Sequence, residues 1–178
     1  MTVVDFEEIP IHAGSIRVTV LNNSVDTPDN IFQRIMEEHS TIGNPNYMLD
    51  FTDKVKNHII DFNTEIKRLS KDYKIAGYGA SGRANMFCNL TDLDENVVQF
   101  IVDESPERCG RYIANTKIPI VDIDTLKNSD VDIIIIFAWN YSKMIIEKTQ
   151  FKKYSYLVAF PNVQLVDSYD DLKGFDSI

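Results

Sequence analysis

The chain has 178 residues, of which 44% are hydrophobic and 25% charged, and it carries a formal net charge of -9. That length suits one domain with its own core, and the composition lies well outside the disordered range. The acidic balance argues against a broad nucleic-acid footprint, which needs a basic surface to release counterions, but leaves room for a small phosphorylated ligand.

Cys88 and Cys109 are far apart and outside any CxxC pair, so they read as reduced thiols, and neither a zinc site nor a disulfide framework is expected. Asp5, Glu7 and Glu8 break up the start, and no apolar run nears the roughly 20 residues that cross a bilayer. A cytoplasmic protein without a membrane partner is expected. The sequons at Asn22, Asn89 and Asn140 then count as chance matches.

A single domain over residues 1–178 is predicted, with a strand and helices over 1–73 and an alternating strand and helix core over 74–178. In the first stretch Ser15–Leu21 has the β-branched alternation of a strand, turned by Asn22, Asn23 and Ser24. Thr27 before Pro28 reads as an N-cap with proline at the first helical position, starting a helix that carries Ile31, Ile35 and Met36 and stops near Gly43. A longer helix follows on the apolar stripe Met48, Phe51, Val55, Ile59, Phe62, Ile66 and Leu69, whose simplest use is packing against its own sheet.

From Lys74 the pattern becomes strand (74–78), helix (Gly82–Leu90) and strand (97–102), a βαβ unit. A loop rich in Gly, Pro and Asn spans 104–119, and Asp124 is expected to cap a short helix at 125–127. Residues 131–137 read as a central parallel strand, apolar on both faces, followed by a helix at 141–148 and a last strand at 155–160. The fold class is α/β, a Rossmann-like, doubly wound, mainly parallel sheet with an N-terminal strand and helical extension.

Gly77, Tyr78, Gly79, Ala80, Ser81 and Gly82 spell GxGxxG between a strand and a helix. The first glycine would permit a tight turn, the second a close approach of backbone to phosphate, and the third close helix and strand packing. Free N–H groups and the positive helix end would then face an anion. Asp103 closes the next strand, a little beyond the roughly 20 residues expected for a ribose-binding acid. Arg83, Arg108, Arg111 and Lys117 follow the first two strands of the core, where positive charge suits a diphosphate. Trp139 and Asn140 follow the central strand on the same edge, able to stack on a base or sugar and to read hydroxyls. His39 and His58 fit helical surface patterns, the three histidines lack metal-ligand spacing, and no catalytic residue is assigned.

Two stretches carry more specific information. Pro10, Ile11, His12, Ala13, Gly14, Ser15, Ile16, Arg17 and Val18 resemble the P-x-H-G-G-S-L-R-V entry into the C-terminal domain of sugar C-methyltransferases. Gly77, Tyr78, Gly79, Ala80, Arg83 and Asn85 resemble that family's G-Y-G-A-x-x-K/R-x-N loop. Val102, Asp103, Pro106 and Gly110, then Ile118, Pro119 and Ile120, then Ala138, Trp139 and Asn140 continue the likeness in order. Ala13 replaces a usual glycine, and the 110–116 segment lacks the usual P-G before its Thr.

The resemblance implies a domain that holds a nucleotide-diphosphate sugar, with His12, Ser15, Arg17 and Asn85 added to the candidate site. It also implies methyl transfer from S-adenosylmethionine (SAM) to a sugar carbon beside a keto group. Here the family's zinc cysteines and SAM-binding domain have no counterpart, so no cofactor is expected on this chain, and transferase activity is expected only with a SAM-binding domain in cis or trans. An NAD(P)-binding Rossmann domain of an oxidoreductase or redox sensor is the alternative. A third reading is a ligand-free scaffold docking through its long helix.

Overall fold

The structure, a computed structural model, describes residues 1–9 and 14–174. They form two compact units, residues 1–56 and the residues from Asn57 onward. Among the described residues no helix is long and apolar enough to cross a membrane.

The first unit opens with an antiparallel hairpin of β1 (Thr2–Ile9) and β2 (Ser15–Leu21), with Phe6 opposite Val18 and Glu7 opposite Arg17. β2 has the bounds its alternation predicts. β1 was not expected, because carboxylates are weak strand formers; here Arg17 binds Glu7 across the strands at 2.7 Å. Helix α1 (Asp29–Thr41) starts one residue later than the Thr27 cap implies. Pro28 takes the cap position with a non-helical ψ of 146°, and its carbonyl accepts from the Ile31 and Phe32 amides.

Helix α2 (Pro45–Leu69) begins in the first unit and ends in the second. Its stripe divides along its length. Phe62, Ile66 and Leu69 are buried, whereas Met48 and Phe51 are about half exposed, so packing against the sheet accounts for the C-terminal turns alone.

The second unit is a mixed α/β body around a six-stranded sheet ordered β5-β4-β3-β6-β7-β8. Strands β3 (Ile75–Tyr78), β4 (Ile101–Val102), β5 (Ile120–Val121), β6 (Ile133–Ile136) and β7 (Ser155–Val158) run parallel, and β8 (Gln164–Val166) is antiparallel to β7. β5 and β8 were not expected. They are two and three residues long, too short for an alternation to register, and short strands are usual at sheet edges.

Alternate residues along the strands feed two cores. Ile75, Ile133, Ile135 and Leu157 pack with Phe62 and Ile66 of α2 and Ala84 and Phe87 of α3 (Gly82–Leu90). Ala76, Ile134, Ile136 and Val158 pack with Leu126 of α4 (Ile123–Lys127) and Ile145 and Ile146 of α5 (Ser142–Lys148). Helices therefore cover both faces, as the two-residue period of buried parallel strands demands. The cap of α4 is Asp122 rather than Asp124. Asp122 is extended and accepts from the Thr125 amide at 2.9 Å, while Asp124 is already helical.

Candidate functional site

β3 stops at Tyr78 because Gly79 turns the chain with a φ of +94°, and Ser81 then caps α3 by accepting from the Ala84 amide. Two amides of this loop are consumed internally: Gly79 donates to the Val102 carbonyl at 2.7 Å and Ser81 to that of Gly79 at 2.8 Å. Those of Ala80 and Gly82 meet no acceptor among the described residues. The first turn of a helix presents such amides together with the positive end of its dipole.

The three glycines divide their work differently from the motif's general pattern. Gly77 lies inside β3 with ordinary strand backbone rather than in a tight turn, and a Cβ there would stand 2.5 Å from the Phe137 ring. Gly79 supplies the left-handed turn and the close approach, with Ala138 2.9 Å from the place of a Cβ. Gly82 has room for a side chain: among the described residues a Cβ there would meet no atom of another element within 4 Å. The expectation of close helix and strand packing at the third glycine does not hold, because Gly82 sits on the exposed opening of α3.

The structure brings Arg83 and Trp139 together beside this loop. The Arg83 guanidinium lies 5.0 Å from the Trp139 ring centroid, and the indole also packs on Phe160 at 4.6 Å. Asn140 follows in the same 3-10 turn (Trp139–Tyr141), with its Oδ1 buried and lacking a donor among the described residues. Phe160 was not among the expected site residues. Its signal is its place just past β7, on the carboxyl edge where parallel sheets gather their ligands.

His58 also differs from expectation. It is half-buried: its ring stacks on Phe160 at 4.5 Å, its Nε2 is buried, and it lines a cleft of about 350 Å³ with Asp61, Glu65, Asn162 and Val163. Burial pulls its pKa below 6.5, opposed by Asp61 and the Ala159 backbone. The folded state therefore resists protonation that the unfolded chain accepts, and stability is lost as pH falls below 6.5 toward the lower folded value. An NMR titration is expected to place the His58 midpoint below 6.5, and His58→Gln to flatten the stability profile in that window.

Asp103 and Tyr78 are occupied by the protein itself. Asp103 is buried, accepts from the Ser105 amide at 2.8 Å and pairs with Arg108 at 3.1 Å. Tyr78 packs in the core with residues of α4 and α5, and its hydroxyl donates to Glu104 at 2.8 Å. Burial, and then Glu104, drive its pKa upward; Lys148 and Tyr78 hold the Glu104 carboxyl below its ordinary value. Lys117 pairs with Glu95 at 3.7 Å. Cys88 is a buried thiol whose pKa desolvation raises to about 12.

Asn85 braces the sheet edge. Its Oδ1 accepts from the Ala114 amide at 3.0 Å, while Asn89 donates to the Ala114 carbonyl and accepts from Asn115. These bonds hold a turn in which Asn115 and Lys117 take positive φ of 65° and 58°, a conformation that costs free energy outside glycine. Asn85→Ala is expected to cost about 1 kcal/mol and to speed amide hydrogen exchange selectively over residues 113–118. Of the remaining candidates, Ser15 and Arg17 lie on β2 of the first unit, with Arg17 engaged by Glu7. His12 lies outside the described residues.

This is an α/β domain whose glycine loop, arginine and tryptophan meet at the carboxyl edge of its central strands. Residues 10–160 match the model of the C-methyltransferase C-terminal domain family, and the chain belongs to that family. It is thus a methyltransferase-associated domain. No curated protein matches the chain.

Proposed function

We propose that the second unit is a Rossmann-like, doubly wound domain that holds a nucleotide-diphosphate sugar for a C-methyltransferase, SAM being supplied by a SAM-binding domain in cis or trans. The observation that carries this reading is that the amides of Ala80 and Gly82 meet no acceptor among the described residues, with open space where a Cβ of Gly82 would stand. Such amides at a helix start suit the oxygens of a diphosphate. Arg83 adds the positive charge that an acidic chain otherwise lacks there. Trp139, already backed by Phe160, offers a face for stacking a base or sugar. A ligand donor reaching Asn140 Oδ1 would relieve the desolvation cost of a buried acceptor that has no donor among the described residues.

SAM, where bound, supplies the electrophilic methyl group. The residues described here bind and orient the acceptor. The dinucleotide alternative is weaker on one specific ground: an acid that reads a ribose needs a free carboxylate, and that of Asp103 is committed to Ser105 and Arg108.

Isothermal calorimetry with deoxythymidine and guanosine diphosphate sugars, with NADH in parallel, tests the reading. Binding heat with a diphosphate sugar is expected. No heat with any such sugar at millimolar concentration overturns it, and tighter binding of NADH moves the assignment to an oxidoreductase or redox sensor.

A further inference from the structure

The side chains beside the glycine loop form a continuous chain of contacts that runs from Arg83 to His58. The Arg83 guanidinium lies 5.0 Å from the Trp139 ring centroid, Trp139 lies 4.6 Å from Phe160, and Phe160 lies 4.5 Å from His58. The two ring pairs are tilted by 40° and 30°. Each member comes from a different place in the fold: α3, the turn after β6, the segment after β7, and α2. Trp139 packs against the core of α4 and α5, and Phe160 against the core of α2 and α3. The chain therefore ties the two faces of the sheet together along its carboxyl edge.

Trp139 sits in a 3-10 turn of three residues, which fixes a side chain less firmly than a long helix does. Its ring is held by its neighbours, of which Phe160 is one. Phe160 in turn meets Phe87 edge-on at 5.9 Å, whereas the His58 ring lies closer and flatter against it. His58 also lines the open cleft of about 350 Å³, so losing its ring would leave a space that Phe160 could enter. Core packing alone does not call for a histidine here. Its Nε2 is buried with no hydrogen-bond partner among the described residues, which costs desolvation that an aliphatic side chain would avoid. What the imidazole supplies is a flat ring against Phe160.

We infer that His58 is a positioning residue for the ligand edge. Without touching the ligand, it acts through Phe160 to hold the Trp139 ring in the plane on which the base or sugar of a nucleotide-diphosphate sugar stacks. The inference rests on the reading of that edge given under Proposed function. A ring already fixed in its binding orientation loses little rotamer freedom when the ligand arrives, and the saving is gained as affinity.

Trp139 is the one tryptophan of the chain, so tryptophan fluorescence reports on this ring. His58→Ala removes the imidazole, and His58→Gln replaces it with a polar side chain that has no ring. Both are expected to lower the fluorescence anisotropy of Trp139 in the free protein. Both are also expected to weaken diphosphate-sugar binding, read by calorimetry, by about three- to tenfold, with circular dichroism unchanged. His58→Phe keeps a flat ring, has the cleft to grow into, and is expected to restore both readouts to the parent values. A role in stability alone would leave the affinity of the folded variants where it was. Parent-like affinity or anisotropy in the folded Ala and Gln variants overturns the inference while the reading of the edge stands, and so does a His58→Phe variant that restores neither. A parent chain that binds no diphosphate sugar overturns the reading itself, and the inference with it.

Discussion

Gly77→Ala is expected to lower the melting temperature more than any other one-methyl addition in the glycine loop. The new methyl would stand 2.5 Å from Cε2 of Phe137 and 2.8 Å from Cγ1 of Ile101. Neither neighbour can move aside cheaply: Phe137 is 1% and Ile101 0% exposed, and both belong to the core shared with α2 and α3. Two effects compete. Alanine restricts the unfolded chain and favours folding by about 0.5–1 kcal/mol, whereas overpacking a close-fitted core costs about 1–3 kcal/mol and more when backbone must shift. Contacts this short put the cost at the upper end, so a net loss of about 2 kcal/mol is expected, on the order of 4–8 °C for a chain of this size. Thermal unfolding by calorimetry reads it directly.

A second substitution identifies the cause. Phe137→Leu removes ring atoms from the crowded space at a cost of its own, and in the double variant the two losses are expected to fall short of their sum by about 1 kcal/mol. Additive losses would mean that Gly77 is required for something other than room for Phe137.

How much of this was legible in the sequence differs by element. The β2 alternation, the α3 bounds and the IIII run of β6 could be read because each has a clean period. β5 and β8 could not, since two or three residues carry no period. The caps slipped by a residue or two for a local reason: Thr27 and Asp124 have the right chemistry, but Pro28 and Asp122 have the backbone angles. The GxGxxG spelling located the loop correctly and misassigned its parts. Its first glycine answers to a phenylalanine many residues away, and no local rule contains that contact. Arg83 beside Trp139 was likewise unreadable as a pair, though both segments were expected on one edge. Asn85 carried a family signal whose meaning here is a hydrogen bond to Ala114.

The sharpest effect on ligand binding is expected from Gly82→Asp, which should stabilise the fold while abolishing most of the affinity. Gly79→Val, the more obvious choice, confounds the two, because the left-handed φ of +94° and the Ala138 contact at 2.9 Å would damage folding whatever the ligand does. Gly82 carries no such penalty: its φ is not left-handed, a Cβ meets nothing within 4 Å, and the first turn of α3 holds no acidic residue. An aspartate there gains helix propensity over glycine and a favourable interaction with the helix dipole, about 0.3–1 kcal/mol from the latter. The melting temperature is therefore expected to rise by roughly 1–3 °C. The same carboxylate would stand beside the opening of α3 that the Ala80 and Gly82 amides belong to and repel a diphosphate held there. At a half-solvated rim that repulsion amounts to roughly 1.5–3 kcal/mol, a loss of about tenfold to a hundredfold in affinity. Gly82→Asn separates charge from bulk. If charge dominates, asparagine keeps most of the binding, and the defect of the aspartate variant shrinks as salt is added. Equal losses in both variants would mean that bulk alone blocks the ligand. Unchanged affinity in Gly82→Asp, with the fold intact, would take the phosphates away from these amides altogether.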